Sequence, residues 1–223
     1  MLSVAENIKS VRDSLFPGVS LVAVSKFHPA AIIREAYDAG QILFGESRVQ
    51  ELVKKEPLLP SEIKWHFIGH LQTNKVRQLV PSVALIQSID SEKLLRMVDR
   101  ESERIGRVTD VLLQLHVALE TTKFGFTCDE CEALVDSGVI DSLHNVRICG
   151  VMGMATNTDN DAEIHKEFRE IRRVFDYLSS GAMAGKDYFR TVSMGMSEDY
   201  LIAMEEGSTM VRIGTSIFGE REY

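Results

Sequence analysis

Leu21-Val22-Ala23-Val24-Ser25-Lys26 is an unbroken apolar run that ends abruptly in a hydroxyl and an amine. Four consecutive apolar residues suit a strand covered on both faces, the usual situation in a parallel sheet. Downstream, Ile32, Ile33, Ala36 and Tyr37 share one helical side, and Gly40 stops that helix. Upstream, Val4, Ile8, Val11 and Leu15 fall on one face of a helix that Pro17-Gly18 ends. The same alternation of short apolar run and helical segment continues to the end of the chain. Further strands are predicted at 42–44, 65–68, 85–89, 111–117, 146–152, 189–192 and 210–213. With the first, that makes eight.

The intervening helices are marked by periodicity and caps. Ile164, Phe168, Ile171, Phe175 and Leu178 form one apolar stripe, and Thr127 with Glu130 makes a capping box. A third helix is predicted from about Ser197 to Glu206, with Gly207 as its stop. Seven helices follow strands, and the N-terminal helix supplies an eighth. The expectation is an α/β fold, one (β/α)₈ TIM-type barrel domain over residues 1–223, in preference to an open doubly wound sheet.

Composition narrows the function classes. The chain has 223 residues, 44% of them hydrophobic, enough to bury a large core without crosslinks. A net charge of −8 makes nucleic acid and anionic membrane poor non-specific partners. Cys128, Cys131 and Cys149 do not form a disulfide framework, and the lone Cys128-x-x-Cys131 lacks the second pair a zinc site needs; both belong to the first turn of a helix. The N-terminus has no basic, apolar signal segment, so the expected compartment is the cytoplasm.

A barrel of this kind places its chemistry at the C-terminal ends of the strands. Those positions hold Lys26; Gly45-Glu46-Ser47-Arg48; Gly69-His70; Asp90; Glu120, Thr121, Thr122 and Lys123; Gly153-Met154; Ser193 to Ser197; and Gly214-Thr215-Ser216. The last two groups carry Gly and hydroxyls on the loops after strands seven and eight, where barrels bind phosphate; ordinary Gly/Ser turns are the alternative. An amine at a strand end, desolvated at a pocket floor, gains the neutral form that attacks a carbonyl; a solvated loop lysine is the alternative. Arg212, inside a predicted buried strand, requires either a structural carboxylate or a polar ligand. Of the two histidines flanking strand three, His66 reads as a hydrogen-bonded core residue and His70 as the better site candidate.

Four stretches carry a resemblance. Val22-Ala23-Val24-Ser25-Lys26, Gly69 to Lys75, Ser193 to Ser197 and Gly207 to Gly219 together resemble the pyridoxal phosphate homeostasis proteins, themselves similar to the N-terminal barrel of alanine racemase. The resemblance runs from about Val4 to Gly219. It implies pyridoxal 5′-phosphate (PLP) bound covalently to Lys26 as a Schiff base. It further implies Ser193, Gly214 and Thr215 on the phosphate, Met194 lining the site and Arg212 near the pyridine nitrogen. Gly45-Glu46-Ser47-Arg48-Val49-Gln50-Glu51 matches a further family motif with Ser47 where Asn is usual. The implied role is vitamin B6 homeostasis without robust catalysis, in a monomer, with apo-enzymes as recipients of the cofactor. A PLP-dependent racemase or lyase is the alternative; the second domain that supplies a catalytic Tyr in alanine racemase is not expected here, and Tyr223 is not read as its replacement. Lys75 and Lys123 are rival amines.

Overall fold

A computed structural model describes residues 3–118 and 124–219. Eight parallel strands close into a barrel in sequence order: β1 (Ser20–Val24), β2 (Leu43–Glu46), β3 (Lys64–Phe67), β4 (Leu85–Ile89), β5 (Thr109–Gln114), β6 (Val146–Met152), β7 (Thr191–Ser193) and β8 (Met210–Ile213). Closure comes from β1 on β8, with Leu21 opposite Val211 and Val22 opposite Arg212. Between strands lie α2 (Ala30–Asp38), α3 (Val49–Lys55), α4 (Val76–Leu79), α5 (Glu92–Glu103), α6 (Cys128–Asp136), α7 (Asp161–Ser180) and α8 (Tyr200–Glu205), as the alternation predicts. A one-turn α9 (Thr215–Phe218) follows β8.

The N-terminal α1 (Val4–Ser14) supplies the expected additional helix. Ser3 and Glu6 cap it reciprocally, satisfying backbone donors that the first turn leaves free. Ile8 and Val11 face the core. Polar bonds fasten its other side: Asn7 Nδ2 donates to the Ile217 carbonyl at 2.9 Å and Arg12 Nη2 to the Gly40 carbonyl at 2.8 Å. The helix thus ties the end of α2 to α9, across the seam where β8 meets β1. Thr127 and Glu130 form the predicted capping box at the start of α6, and Cys128 and Cys131 lie in its first turn as free thiols.

Strand alternation divides the apolar side chains into two cores. Ala23, Phe44, Trp65, Phe67, Ile86, Val111, Val211 and Ile213 point outward and pack on helical residues such as Ile33, Leu52, Leu95 and Phe168. Val22, Leu85, Leu112, Cys149, Met152 and Met210 form a separate cluster that fills the barrel interior. Each such side chain contributes about 1.5–3 kcal/mol by leaving water. In β6 the alternation is reset by a bulge: Val111 opposes Ile148, but Leu112 opposes Gly150, so Cys149 is the extra residue. Gly150 sits at φ 149°, and a Cβ there would lie 1.8 Å from the Thr191 carbonyl oxygen.

Alongside the apolar cluster, the interior carries a chain of polar side chains. Gln87 Nε2 donates to His66 Nδ1 at 2.9 Å, Ser193 Oγ donates to Gln87 Oε1 at 2.7 Å, and Arg212 Nη1 donates to Ser193 Oγ at 2.7 Å. His66 is therefore the hydrogen-bonded core residue that its place in β3 suggested. Burial pushes its imidazole down to about 4, so the ring is neutral at ordinary pH.

Two outcomes follow from this packing. Gly150→Ala should lose roughly 2–5 kcal/mol in urea unfolding, through strain and overlap with β7. Gly106→Ala, at φ 66° with nothing within 4 Å, should lose only about 1 kcal/mol. Equal losses would contradict the bulge as the cause. Secondly, the unfolded chain's His66 titrates near 6.5 and the folded one near 4. Between those values the unfolded state binds more protons, so stability is lost as pH falls through that window. His66 should account for about 2 kcal/mol of the loss between about pH 7 and about pH 5. In His66→Asn that part of the slope should disappear; an unchanged slope would refute the assignment.

Candidate functional site

Lys26 leaves β1 on the inward face, above Val24, while the intervening Ser25 faces α3. The chain turns at once: Phe27 has φ 70°, and no other non-glycine among the described residues has a positive φ. Such a conformation costs on the order of 1–3 kcal/mol and persists only where surroundings hold it. Here the Phe27 N–H donates to Glu51 Oε2 at 3.0 Å, and the Arg48 guanidinium lies 4.7 Å from the centre of the Phe27 ring. On the other side of Lys26, the Ser25 carbonyl accepts from Lys55 Nζ at 3.1 Å and the Ser25 hydroxyl donates to Glu46 Oε1 at 2.7 Å. Lys55 also bonds Glu46 Oε1 at 2.8 Å and Glu51 Oε2 at 3.3 Å. Both neighbours of Lys26 are thereby clamped to α3. Burial raises the Glu46 carboxyl above its usual range, with Lys55 and Ser25 pulling the other way.

The adjoining side of the barrel mouth, next to β1 across the β8–β1 seam, is built from the loops after β7 and β8. Gly195 has φ 97°, and a Cβ would stand 2.6 Å from Ala203 Cβ, so only glycine lets the loop lie this close to α8. The Arg212 N–H donates to the Gly195 carbonyl at 2.9 Å, which joins the two loops. Gly214 passes close to the end of β1: a Cβ on it would lie 3.2 Å from the Val24 carbonyl oxygen. Gly214 opens α9, whose first N–H groups have no partner within the helix. The Asp199 carboxylate accepts the Met196 N–H; burial raises that carboxyl, while this bond and the Arg212 charge oppose the rise.

These two sides enclose one cavity of about 710 Å³ at the C-terminal ends of the strands. Lys26, Ser47, Arg212, Gly214 and Thr215 all stand on its wall. A third side, unmarked in the sequence reading beyond Met154, is the loop after β6, residues 154–159. Buried Glu167 on α7 fastens that loop by accepting the Thr156 N–H at 2.6 Å and its hydroxyl at 2.7 Å.

Arg212 is 3% exposed. Its side-chain partners among the described residues are the Ser193 carbonyl and hydroxyl and the Gly153 carbonyl, with no carboxylate among them. Burial draws the guanidinium down to about 10 against the pull of Asp199, so it stays charged at neutral pH. A buried cation held by neutral acceptors and facing a cavity is suited to an anionic or electron-rich ligand.

Three expected site residues lie elsewhere. Ser193 is fully buried and off the cavity wall, and its hydroxyl bridges Arg212 and Gln87. Met194 falls on the outward parity of β7 and packs in the sheet–helix core. His70 swings away after β3 into a separate hollow, where Nδ1 pairs with Asp90 Oδ2 at 2.9 Å and the ring stacks on Phe124 at 3.6 Å between centroids. Of the rival amines, Lys75 is not on the cavity wall. Lys123, with Glu120, Thr121 and Thr122, and Tyr223 lie outside the described residues. Among the described residues no group of His, Cys, Asp and Glu has the arrangement of a metal site.

The sequence profile of the family described as "Alanine racemase, N-terminal domain" matches residues 2–222. The chain is 39% identical to the pyridoxal phosphate homeostasis protein of Aquifex aeolicus, covering 91% of this chain and 87% of that one. It is 33% identical to the Escherichia coli protein of the same name, covering 100% and 99%. Among solved structures it is similar to PipY of Synechococcus elongatus PCC7942, determined without PLP (38% identity, TM-score 0.91) and with PLP bound (38% identity, TM-score 0.87). Both cover 97% of this chain and all of PipY. Alanine racemase from Streptomyces coelicolor shares the fold at 18% identity and TM-score 0.81, with 58% of its length covered. By profile, identity and fold together, the chain belongs to the alanine racemase N-terminal domain family and, within it, to the pyridoxal phosphate homeostasis proteins.

Proposed function

We propose that this protein binds PLP in the 710 Å³ cavity, as an imine on Lys26, and serves intracellular PLP homeostasis. The observation that carries this is the meeting, on one cavity wall, of a strand-end amine, a buried guanidinium and a glycine-hydroxyl loop opening a helix. The amine answers an aldehyde. Gly214 and Thr215, aided by Ser197 on the adjacent loop after β7, would answer a phosphate through N–H and O–H donors. Arg212 would answer the ring nitrogen, and Ser47 lines the same cavity. Ser193 and Met194 support this set from behind the wall, and His70 stays apart from it.

PLP, when bound, supplies an aldehyde that exchanges between amines and a ring that withdraws electrons. Arg212, charged and unable to accept a proton, would disfavour protonation of the ring nitrogen and leave the ring a weak electron sink. The clamp of α3 on Ser25 and Phe27 fixes the amine's direction. Such a site suits holding and releasing the cofactor, with apo-enzymes as its recipients, in a cytoplasmic monomer. Among the described residues no helix is long and apolar enough to cross a membrane.

Borohydride reduction of the PLP-loaded protein, followed by peptide mapping, should place the pyridoxyl group on Lys26, and Lys26→Ala should lose the imine absorption entirely. Label on Lys75 or Lys123 with Lys26 unmodified would overturn the assignment.

A further inference from the structure

We propose that Gln87 and His66 are positioning residues for Arg212, acting through the Ser193 hydroxyl, and that they set how the guanidinium meets the cofactor's ring nitrogen; this rests on the PLP reading above. Nothing in the strand-end motifs points to Gln87.

Arg212 has only donors. Its Nη1 gives to Ser193 Oγ at 2.7 Å and to the Ser193 carbonyl at 2.8 Å, and Nη2 gives to the Gly153 carbonyl at 2.9 Å. Ser193 Oγ, having accepted from Arg212, directs its own hydrogen to Gln87 Oε1 at 2.7 Å. That fixes the Gln87 amide with its NH₂ toward His66 Nδ1 at 2.9 Å. His66 must then accept at Nδ1 and carry its proton on Nε2. Only this polarity satisfies every link. Reversing Gln87 would face two donors toward Ser193 and leave the serine hydrogen without its acceptor.

All four residues are buried, so each broken link would leave a desolvated polar group. The neutral imidazole, kept so by burial, suits the accepting role. The result is a guanidinium gripped on its Nη1 side by the barrel, while the residue itself lines the cavity. The same interior is filled with Val22, Leu85 and Leu112, so polar side chains are not forced on it by the fold.

The test compares Gln87→Leu, His66→Leu and His66→Asn with wild type. In wild type the PLP–imine band should not respond to ring-nitrogen protonation across the neutral range. Gln87→Leu and His66→Leu slacken Arg212, so the band should shift, gain such a transition and accompany roughly tenfold weaker PLP binding. His66→Asn puts an amide oxygen where Nδ1 stood and should return the spectrum toward wild type. A PLP-loaded wild type whose band and affinity are matched by both leucine variants would overturn the proposal. ¹⁵N NMR of the PLP-free wild-type protein supplies a readout that survives any folding failure of the variants. It should find His66 protonated on Nε2 alone; a proton on Nδ1 would overturn the chain's direction. If wild type forms no imine at all, the PLP reading fails instead, and the ¹⁵N result still decides the chain.

Discussion

A guanidinium inside a barrel cannot shed its charge, so the groups around it must accept. Arg212 imposes that condition on β6 through the Gly153 carbonyl and on β7 through Ser193, and Ser193 passes it to β4 and β3 through Gln87 and His66. Its backbone N–H meanwhile binds the Gly195 carbonyl and draws the loop after β7 against β8. One residue thus couples strands that are not neighbours and assembles two of the loops that shape the cavity. The cost of burying the charge is offset by close acceptors and, in the proposed function, by an electron-rich ring nitrogen.

The other half of the cavity depends on a strained turn. Lys26 follows the inward parity of Val22 and Val24 at the end of β1, and directly after it the chain bends away at Phe27, in a left-handed conformation unfavourable to a side chain. Glu51 and Lys55 of α3, with Arg48 just before it, hold that bend, and the same lysine reaches the buried Glu46. Strain beside the proposed reactive amine, with several groups restraining it, is the pattern expected where a side chain must keep one direction.

Much of the barrel was legible because the signals were local. The strands at 85–89, 146–152 and 210–213 were read to the residue, and the cap at Thr127 and the face of α1 were where spacing put them. Errors arose where an apolar residue serves something other than a strand. Phe189 was read as the start of β7, but it stacks on Phe175 at 4.9 Å and the strand begins at Thr191. Apolar residues continue the fifth strand's pattern to 117, yet the strand ends at Gln114, where the chain leaves the sheet and Leu115 bridges Phe126. In the site, Lys26, Arg212, Gly214 and Thr215 were visible as strand-end chemistry. Ser193 and Met194 belong to a loop motif that does not disclose which side chains follow inward parity, or how deep they lie. Gln87 was invisible for the same reason: an amide inside Leu85-Ile86-Gln87-Ser88-Ile89 acquires meaning only once Ser193 and His66 are brought to either side of it.

The central claim is that the wall shared by Lys26, Arg212 and the Gly214–Thr215 turn is a PLP site. A crystal structure of the protein grown with PLP tests it directly. The account predicts continuous density from Lys26 Nζ to the cofactor, the ring nitrogen against Arg212 and the phosphate between the loops after β7 and β8. Cofactor seated in the hollow beside His70 and Asp90, or linked to Lys75 with this cavity empty, would contradict it.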